Sequence, residues 1–242
     1  MIAPVAWTEI KLLAREPLVL VVSLLFPILL MVLLLASFSG DTERYAGLVA
    51  TDFYVTAYLS AGVAVMGFMG VPTHLASYRD SGVLRRFRAA GLPASAIVLG
   101  QVVVMTLLTV VGAAAMVGLA YAGFDLAAPE SVPGVVLGFA AGIAAFAGIG
   151  ALLGSLLPSA RAAQGLGLLL FFGTFFVAGG GPPPDLLPDA LNDAAAVTPI
   201  GLLVDAIRSP WSGAGLDLPA LLALAGIAVA GTTLATRRLA RS

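Results

Sequence analysis

The 242-residue chain has no cysteine, one histidine (His74), one lysine (Lys11) and charged side chains at only 10% of its positions. Each shortage removes a class of function. Without cysteine there is neither a disulfide framework nor thiolate ligation of a metal. One histidine cannot assemble a metal site or a nucleophile–base triad, and His74 reads instead as a hydrogen-bonded residue near a membrane interface. With Lys11 as its only lysine the chain has no Gly-Lys-Ser/Thr loop, so it does not hydrolyse ATP by that route. No metal or cofactor of its own and no nucleic-acid partner are expected.

What the chain has in abundance is apolar surface, with 60% hydrophobic residues and a mean hydropathy of +1.05. One soluble globule of this size cannot bury so much, and the remainder needs lipid. Roughly 20 apolar residues cross a hydrocarbon core of about 30 Å. The chain supplies six such runs in a single membrane domain, 1–242, with spans expected at 18–38, 53–76, 96–121, 134–157, 163–178 and 218–236. Pro27 predicts a kink within the first. Lys11, Arg15 and Glu16 precede that full-length run with no small-residue cleavage site, which argues against a cleaved signal. Residues 2–16 pattern as an amphipathic helix, with Trp7, Ile10 and Ala14 on one stripe and Thr8, Lys11 and Arg15 on the next, suited to lying in the interface. Residues 39–52 read as a polar loop. The longest connection, 179–219, opens on Gly179-Gly180-Gly181-Pro182-Pro183-Pro184. It then offers two helix-compatible pieces, 186–196 and 200–208, punctuated by Pro188, Pro199 and Pro210.

Orientation follows from the basic residues, which concentrate in cytoplasmic loops. With six spans and the N-terminus inside, ten of the twelve basic residues fall on the cytoplasmic side, leaving Arg44 and Arg208 outside. Ten of the thirteen acids fall on the opposite side, and an odd number of spans would scatter this asymmetry. A multi-pass plasma-membrane protein with both termini in the cytoplasm is therefore expected.

Four features carry candidate function. The stretch 77–95 reads as a short capped helix, in which Asp80 or Ser81 starts the helix, Gly91 closes it and Pro93 forbids continuation. Leu84 and Phe87 would share an apolar face framed by Arg85, Arg86 and Arg88. This fits either a basic anchor on anionic headgroups or a docking helix for a cytoplasmic partner. Glu9 and Glu16 flank the amphipathic helix, where they either pair with Arg or Lys or meet the same partner. Gly134, Gly138, Gly142, Gly150 and Gly154 form a small-residue ridge on the fourth span, for packing within the protomer or against a second subunit. Phe171-Phe172-Gly173-Thr174-Phe175-Phe176 puts four rings in six residues on the fifth span. The i, i+4 pairs Phe172/Phe176 and Phe171/Phe175 suit lipid, packing or a greasy lining. The membrane cores hold essentially no ionisable residue, which disfavours ion coupling.

Taken in order, several of these pieces resemble the permease subunit of type 2 ATP-binding-cassette exporters, the group that includes daunorubicin-resistance-type drug exporters. The pieces are Trp7-Thr8-Glu9-Ile10-Lys11 through Arg15-Glu16-Pro17, then Phe26-Pro27. They continue with Arg79-Asp80-Ser81-Gly82-Val83-Leu84 leading to Leu92-Pro93, and end with Pro188, Thr198-Pro199 and Asp205-Ala206-Ile207-Arg208. The family more often has Glu where this chain has Asp80. The resemblance implies an all-α integral membrane fold of six transmembrane helices, with residues 2–16 as a connecting helix and 79–91 as a cytoplasmic coupling helix. It also implies short extracellular re-entrant helices before the last span, and a homodimer served by two copies of a cytoplasmic ATPase subunit that holds ATP and Mg. Arg79, Asp80, Gly82, Leu84, Arg85, Arg86, Phe87 and Arg88, supported by Trp7, Glu9, Arg15 and Glu16, would then couple to that ATPase. Phe68 and Met69 on the second span and Phe172, Thr174 and Phe176 on the fifth would line the path. The function expected is export of an amphipathic or hydrophobic molecule by a permease with no catalytic residue of its own. Export of a glycan or lipid-linked polymer is the alternative within the class, and a membrane-embedded enzyme or assembly factor the alternative outside it.

Overall fold

A computed structural model describes residues 17–38, 44–45, 48–83, 94–181 and 187–241. The expected amphipathic helix 2–16 and the Arg-rich segment 84–93 lie outside the described residues. Helix α1 is Pro17–Phe38, a 22-residue apolar helix with Pro27 inside it. A hairpin of two-residue strands follows, β1 (Arg44–Tyr45) antiparallel to β2 (Leu48–Val49). Helix α2 (Ala50–Val65) passes through a π-helical segment, Met66–Gly70, into α3 (Val71–Asp80). Then come α4 (Ala94–Gly123), α5 (Val132–Leu156) and α6 (Ala160–Phe175), the last ending in a second π segment, Phe176–Gly180. Two short helices, α7 (Asp189–Ala196) and α8 (Pro199–Trp211), meet at 83°, and α9 (Leu218–Arg241) closes the described chain.

Five of these helical runs are long and apolar enough to cross a bilayer: Ala50–Asp80, Leu99–Gly123, Val132–Leu156, Ala160–Gly180 and Leu218–Leu239. The bent α7–α8 pair would be a sixth if it were one span. Helix α1, at 1.5 Å per residue, reaches about 33 Å. The protein is thus an all-α integral membrane protein, the small hairpin aside. Local signals set the helix starts. Ser131, Ser159 and Thr198 each accept a hydrogen bond from the backbone N–H three residues on, at 3.2, 3.2 and 3.0 Å, and Asp217 Oδ1 does the same for Ala220 N–H at 2.9 Å. These satisfy N–H groups that a helix start otherwise leaves unpaired.

The core is organised around α5, which packs against α9, α8, α3 and the first π segment. Its glycine ridge is the reason. A Cβ on Gly134 would stand 2.6 Å from Pro210 Cβ, one on Gly150 2.7 Å from the Gly67 carbonyl oxygen, and one on Gly154 2.8 Å from Leu75 Cβ. At Gly138 and Gly142 it would collide with the Ala206 carbonyl and the Leu203 side chain. The ridge is thus filled by helices of the protomer itself. Helix α2 is buried on all sides from Ala50 to Ala61, with Phe53, Tyr54 and Tyr58 among the largest fully enclosed side chains. Two of its hydroxyls bond locally, Thr56 to the carbonyls of Asp52 and Phe53 (both 2.9 Å) and Ser60 to that of Thr56 (3.0 Å), which satisfies these polar groups where water is absent.

The elements depart from the sequence reading in three places. The stretch 39–52 is not wholly loop: the hairpin occupies part of it, and α2 begins at Ala50. Thr51 and Asp52 enter the buried helix because the loop after α4 satisfies them, Thr51 Oγ1 donating to the Phe124 carbonyl (3.0 Å) and Asp52 Oδ1 accepting from Ala127 N–H (3.2 Å). The second helical run continues past residue 76 to Asp80, and the fifth extends from Ala160 to Gly180. The two π segments have no counterpart in hydropathy, which reports burial and not backbone register.

Candidate functional site

Three of the residues expected to couple to a partner are described, and they sit where α3 ends. Arg79 does not stand free in solvent. Its Nη1 donates to the carbonyls of Gly154 (3.0 Å), Ser155 (2.9 Å) and Leu157 (3.1 Å), the last turn of α5. Helix C-termini leave carbonyls unpaired and carry partial negative charge, so a guanidinium there both caps and neutralises. Asp80, exposed, is the last residue of α3, and Ser81 Oγ donates back to the Ser77 carbonyl (2.8 Å). The Ser81 hydroxyl thus bonds back to the last turn of α3, and the helix expected to begin at Asp80 or Ser81 lies outside the described residues beyond residue 83. Gly82 adopts φ +71°, with its N–H bonded to the Arg79 carbonyl at 3.2 Å. A residue with a Cβ would be strained in this turn. Leu84, Arg85, Arg86, Phe87, Arg88, Trp7, Glu9, Arg15 and Glu16 lie outside the described residues. His74 is half-buried on α3.

The aromatic run of α6 divides by face. Phe171 and Phe175 point inward, stacked with ring centroids 5.0 Å apart, and Phe175 meets Tyr58 edge-on at 5.2 Å. Phe172 and Phe176 stack at 5.7 Å on the adjacent face, where Phe176 keeps 46% of its surface exposed. Thr174, half-buried, donates to the Leu170 carbonyl of its own helix (2.7 Å). Phe68, on the first π segment, is buried and meets Phe146 edge-on at 5.1 Å, which makes it a core residue of the isolated chain; Met69 is half-buried beside the core. Gly167 of α6 lies directly against the Phe68 carbonyl and 3.0 Å, measured from an added Cβ, from Met69 Cγ. The structure thus brings Phe68 and Met69 against α6, while Phe172 and Phe176 stack on the neighbouring face, Phe172 half-buried against the core and Phe176 exposed.

A polar cluster in the first half of α2 involves Arg208, which the sequence offers only within the family-like run Asp205-Ala206-Ile207-Arg208 and as a basic residue on the acid-rich side. Arg208 of α8 lays its guanidinium carbon 4.2 Å above the Phe53 ring, with Nε donating to Thr56 Oγ1 (3.4 Å) and Nη2 to the Phe53 carbonyl (3.5 Å). Tyr58 Oη donates to the Gly180 carbonyl at 3.3 Å. Gly179 takes φ +104° at the end of the second π segment, with an added Cβ only 3.1 Å from Arg208 Nη2. Arg208 therefore joins α8, the middle of α2 and the end of α6.

Among the described residues no group of His, Asp and Glu could hold a metal ion. No curated protein matches the chain. The sequence does match the profile of the ABC-2 type transporter family over residues 3–210, which runs from the N-terminal segment through α8. With five spanning helices and the bent α7–α8 pair inside or beside that match, the chain belongs to the ABC-2 type transporter family, as a multi-pass membrane permease component of an ABC transporter.

Proposed function

We propose that this permease exports an amphipathic or hydrophobic molecule, driven by ATP hydrolysed on two copies of a separate cytoplasmic subunit. In this reading two permease copies pair, both termini are cytoplasmic, and the segment around Arg79–Arg88 rests on the ATPase. The observation that carries the cargo class is the stacked, partly exposed Phe172/Phe176 pair on α6, on a helix whose apolar length holds a single charge, Arg161 at its first turn. Such a face contacts apolar cargo at little desolvation cost. The one hydroxyl beside it, on Thr174, is committed to its own helix, which leaves little to recognise a glycan.

Coupling in this reading runs through Arg79. A push on the segment after Gly82 reaches the end of α5 through three carbonyl contacts, and α5 contacts α9, α8 and the first π segment. ATP binding shifts the conformational equilibrium only if the coupling segment contacts the two nucleotide states differently. The test is charge reversal at Arg85, Arg86 and Arg88 in the reconstituted transporter. ATP-driven transport should fall at least tenfold while the permease still inserts, because rim charges of like sign repel across an interface. Unchanged transport removes the coupling assignment.

A further inference from the structure

A cavity of about 260 Å³ lies between the end of α6 and the bent α7–α8 pair, lined by Val177, Ala178, Gly179, Asn192, Val204, Asp205 and Arg208 among others. Its size matters less than its two charges. Asp205 and Arg208 stand three residues apart on α8 and so share a face. Among the described residues, neither a hydrogen bond nor an ion pair joins them. Among the described residues Arg208 makes two long contacts, to Thr56 and the Phe53 carbonyl, and stacks on Phe53, while Asp205 makes no hydrogen bond and feels the Arg208 charge only at a distance. A half-buried carboxylate and a half-buried guanidinium one turn apart ordinarily close on each other, since leaving either unpaired away from water is costly. Here they line open space together with Asn192 of α7 and the alkyl side chains of Val177, Ala178 and Val204.

We infer that this cavity is a binding site for a zwitterionic group, an anion held by Arg208 and an ammonium held by Asp205, of the kind a phosphoethanolamine moiety presents. A lone anion would meet Asp205, and a lone cation Arg208; a molecule carrying both signs satisfies each. The guanidinium offers planar paired donors suited to phosphate or carboxylate oxygens. The alkyl wall of Val177, Ala178 and Val204 accommodates the apolar part of an amphiphile. This site is additional to the Phe172/Phe176 face, and its occupation does not depend on ATP or on the direction of transport.

Direct binding to the delipidated full-length chain in detergent, by native mass spectrometry, tests it. The probes are dihexanoyl phosphatidylethanolamine, the tailless glycerophosphoethanolamine, and dihexanoyl phosphatidylglycerol, which has the anion without the ammonium. The wild type should retain the ethanolamine lipid about tenfold or more above the glycerol lipid, as expected when one charge-assisted hydrogen bond is lost. Asp205→Asn should erase that preference, and Arg208→Gln should weaken both. Comparable retention of the tailless probe assigns the site to a soluble zwitterion, and retention of the tailed probe alone to a lipid headgroup. Equal retention of the two lipids by the wild type, or an unaltered preference in Asp205→Asn, overturns the proposal. The stacking on Phe53 and the bonds to Thr56 and the Phe53 carbonyl belong to Arg208, so Asp205→Asn keeps the test decisive if Arg208→Gln fails to fold.

Discussion

Arg79 is the residue whose chemistry the sequence describes least well. In the sequence it is one of four arginines in a basic loop, yet its Nη1 reaches three carbonyls at the end of α5. Replacing it with Gln should lower stability by about 1–3 kcal/mol, because the carbonyls lose a charged donor and the helix end loses a compensating charge. Arg79→Lys should lose less, since the charge stays while the planar fork goes. Thermal unfolding of the purified chain checks both. In the assembled transporter Arg79→Gln should also lower transport per ATP hydrolysed, which a purely stabilising contact would leave unchanged. A second residue-scale expectation concerns Thr198, whose hydroxyl accepts from Gly201 N–H (3.0 Å) and donates to the Ala195 carbonyl (2.7 Å) at the bend between α7 and α8. Thr198→Ala should cost about 0.5–2 kcal/mol, the range for a lost N-cap, measured the same way.

At the scale of elements, contact between helices is governed by glycine position, and the outcome of substitution should depend on which side of the helix is touched. Gly167 faces the Phe68 carbonyl directly, whereas Gly165, two residues earlier on α6, has no atom within 4 Å of an added Cβ. Gly167→Ala should destabilise by about 1–3 kcal/mol through overpacking. Gly165→Ala should be neutral or stabilise by up to about 1 kcal/mol, because alanine favours a helix interior. A pair of melting curves separates the two. The glycine spacing on α5 was legible in the sequence, but its target was not. Four-residue intervals announce a close approach, while only the fold reveals that Gly138 and Gly142 receive α8 and that Gly150 and Gly154 receive the π segment and α3. The aromatic run was similarly half legible. Spacing paired Phe171 with Phe175 and Phe172 with Phe176, but the choice of inner face depends on Tyr58, which meets Phe175 from 117 positions earlier in the chain. The π segments at Met66–Gly70 and Phe176–Gly180 were invisible, since an extra residue per turn alters register without altering composition. They fall in the two helical runs expected to line the path, where such breaks commonly accompany function.

For the molecule as a whole, hydropathy made the membrane fold readable because lipid imposes length and leaves every backbone group to be satisfied internally. Burial of α2 on all sides and the cavity beside Arg208 were not readable, as both arise from contacts between distant segments. The absence of cysteine makes the orientation directly measurable. Single cysteines placed at 190 and at 214 should react with an impermeant thiol reagent in intact cells, and one at 238 should react only after permeabilisation, as the basic-residue asymmetry requires. Reaction of all three in intact cells would contradict the topology. The export proposed for this permease moves amphipathic cargo outward only with an ATPase partner. It is tested most directly by uptake of an amphipathic fluorescent probe into inverted membrane vesicles that contain the permease and its nucleotide-binding subunit. Accumulation that requires ATP and both proteins is the expected result; uptake by the permease alone, or none with both present and ATP hydrolysed, would contradict the account.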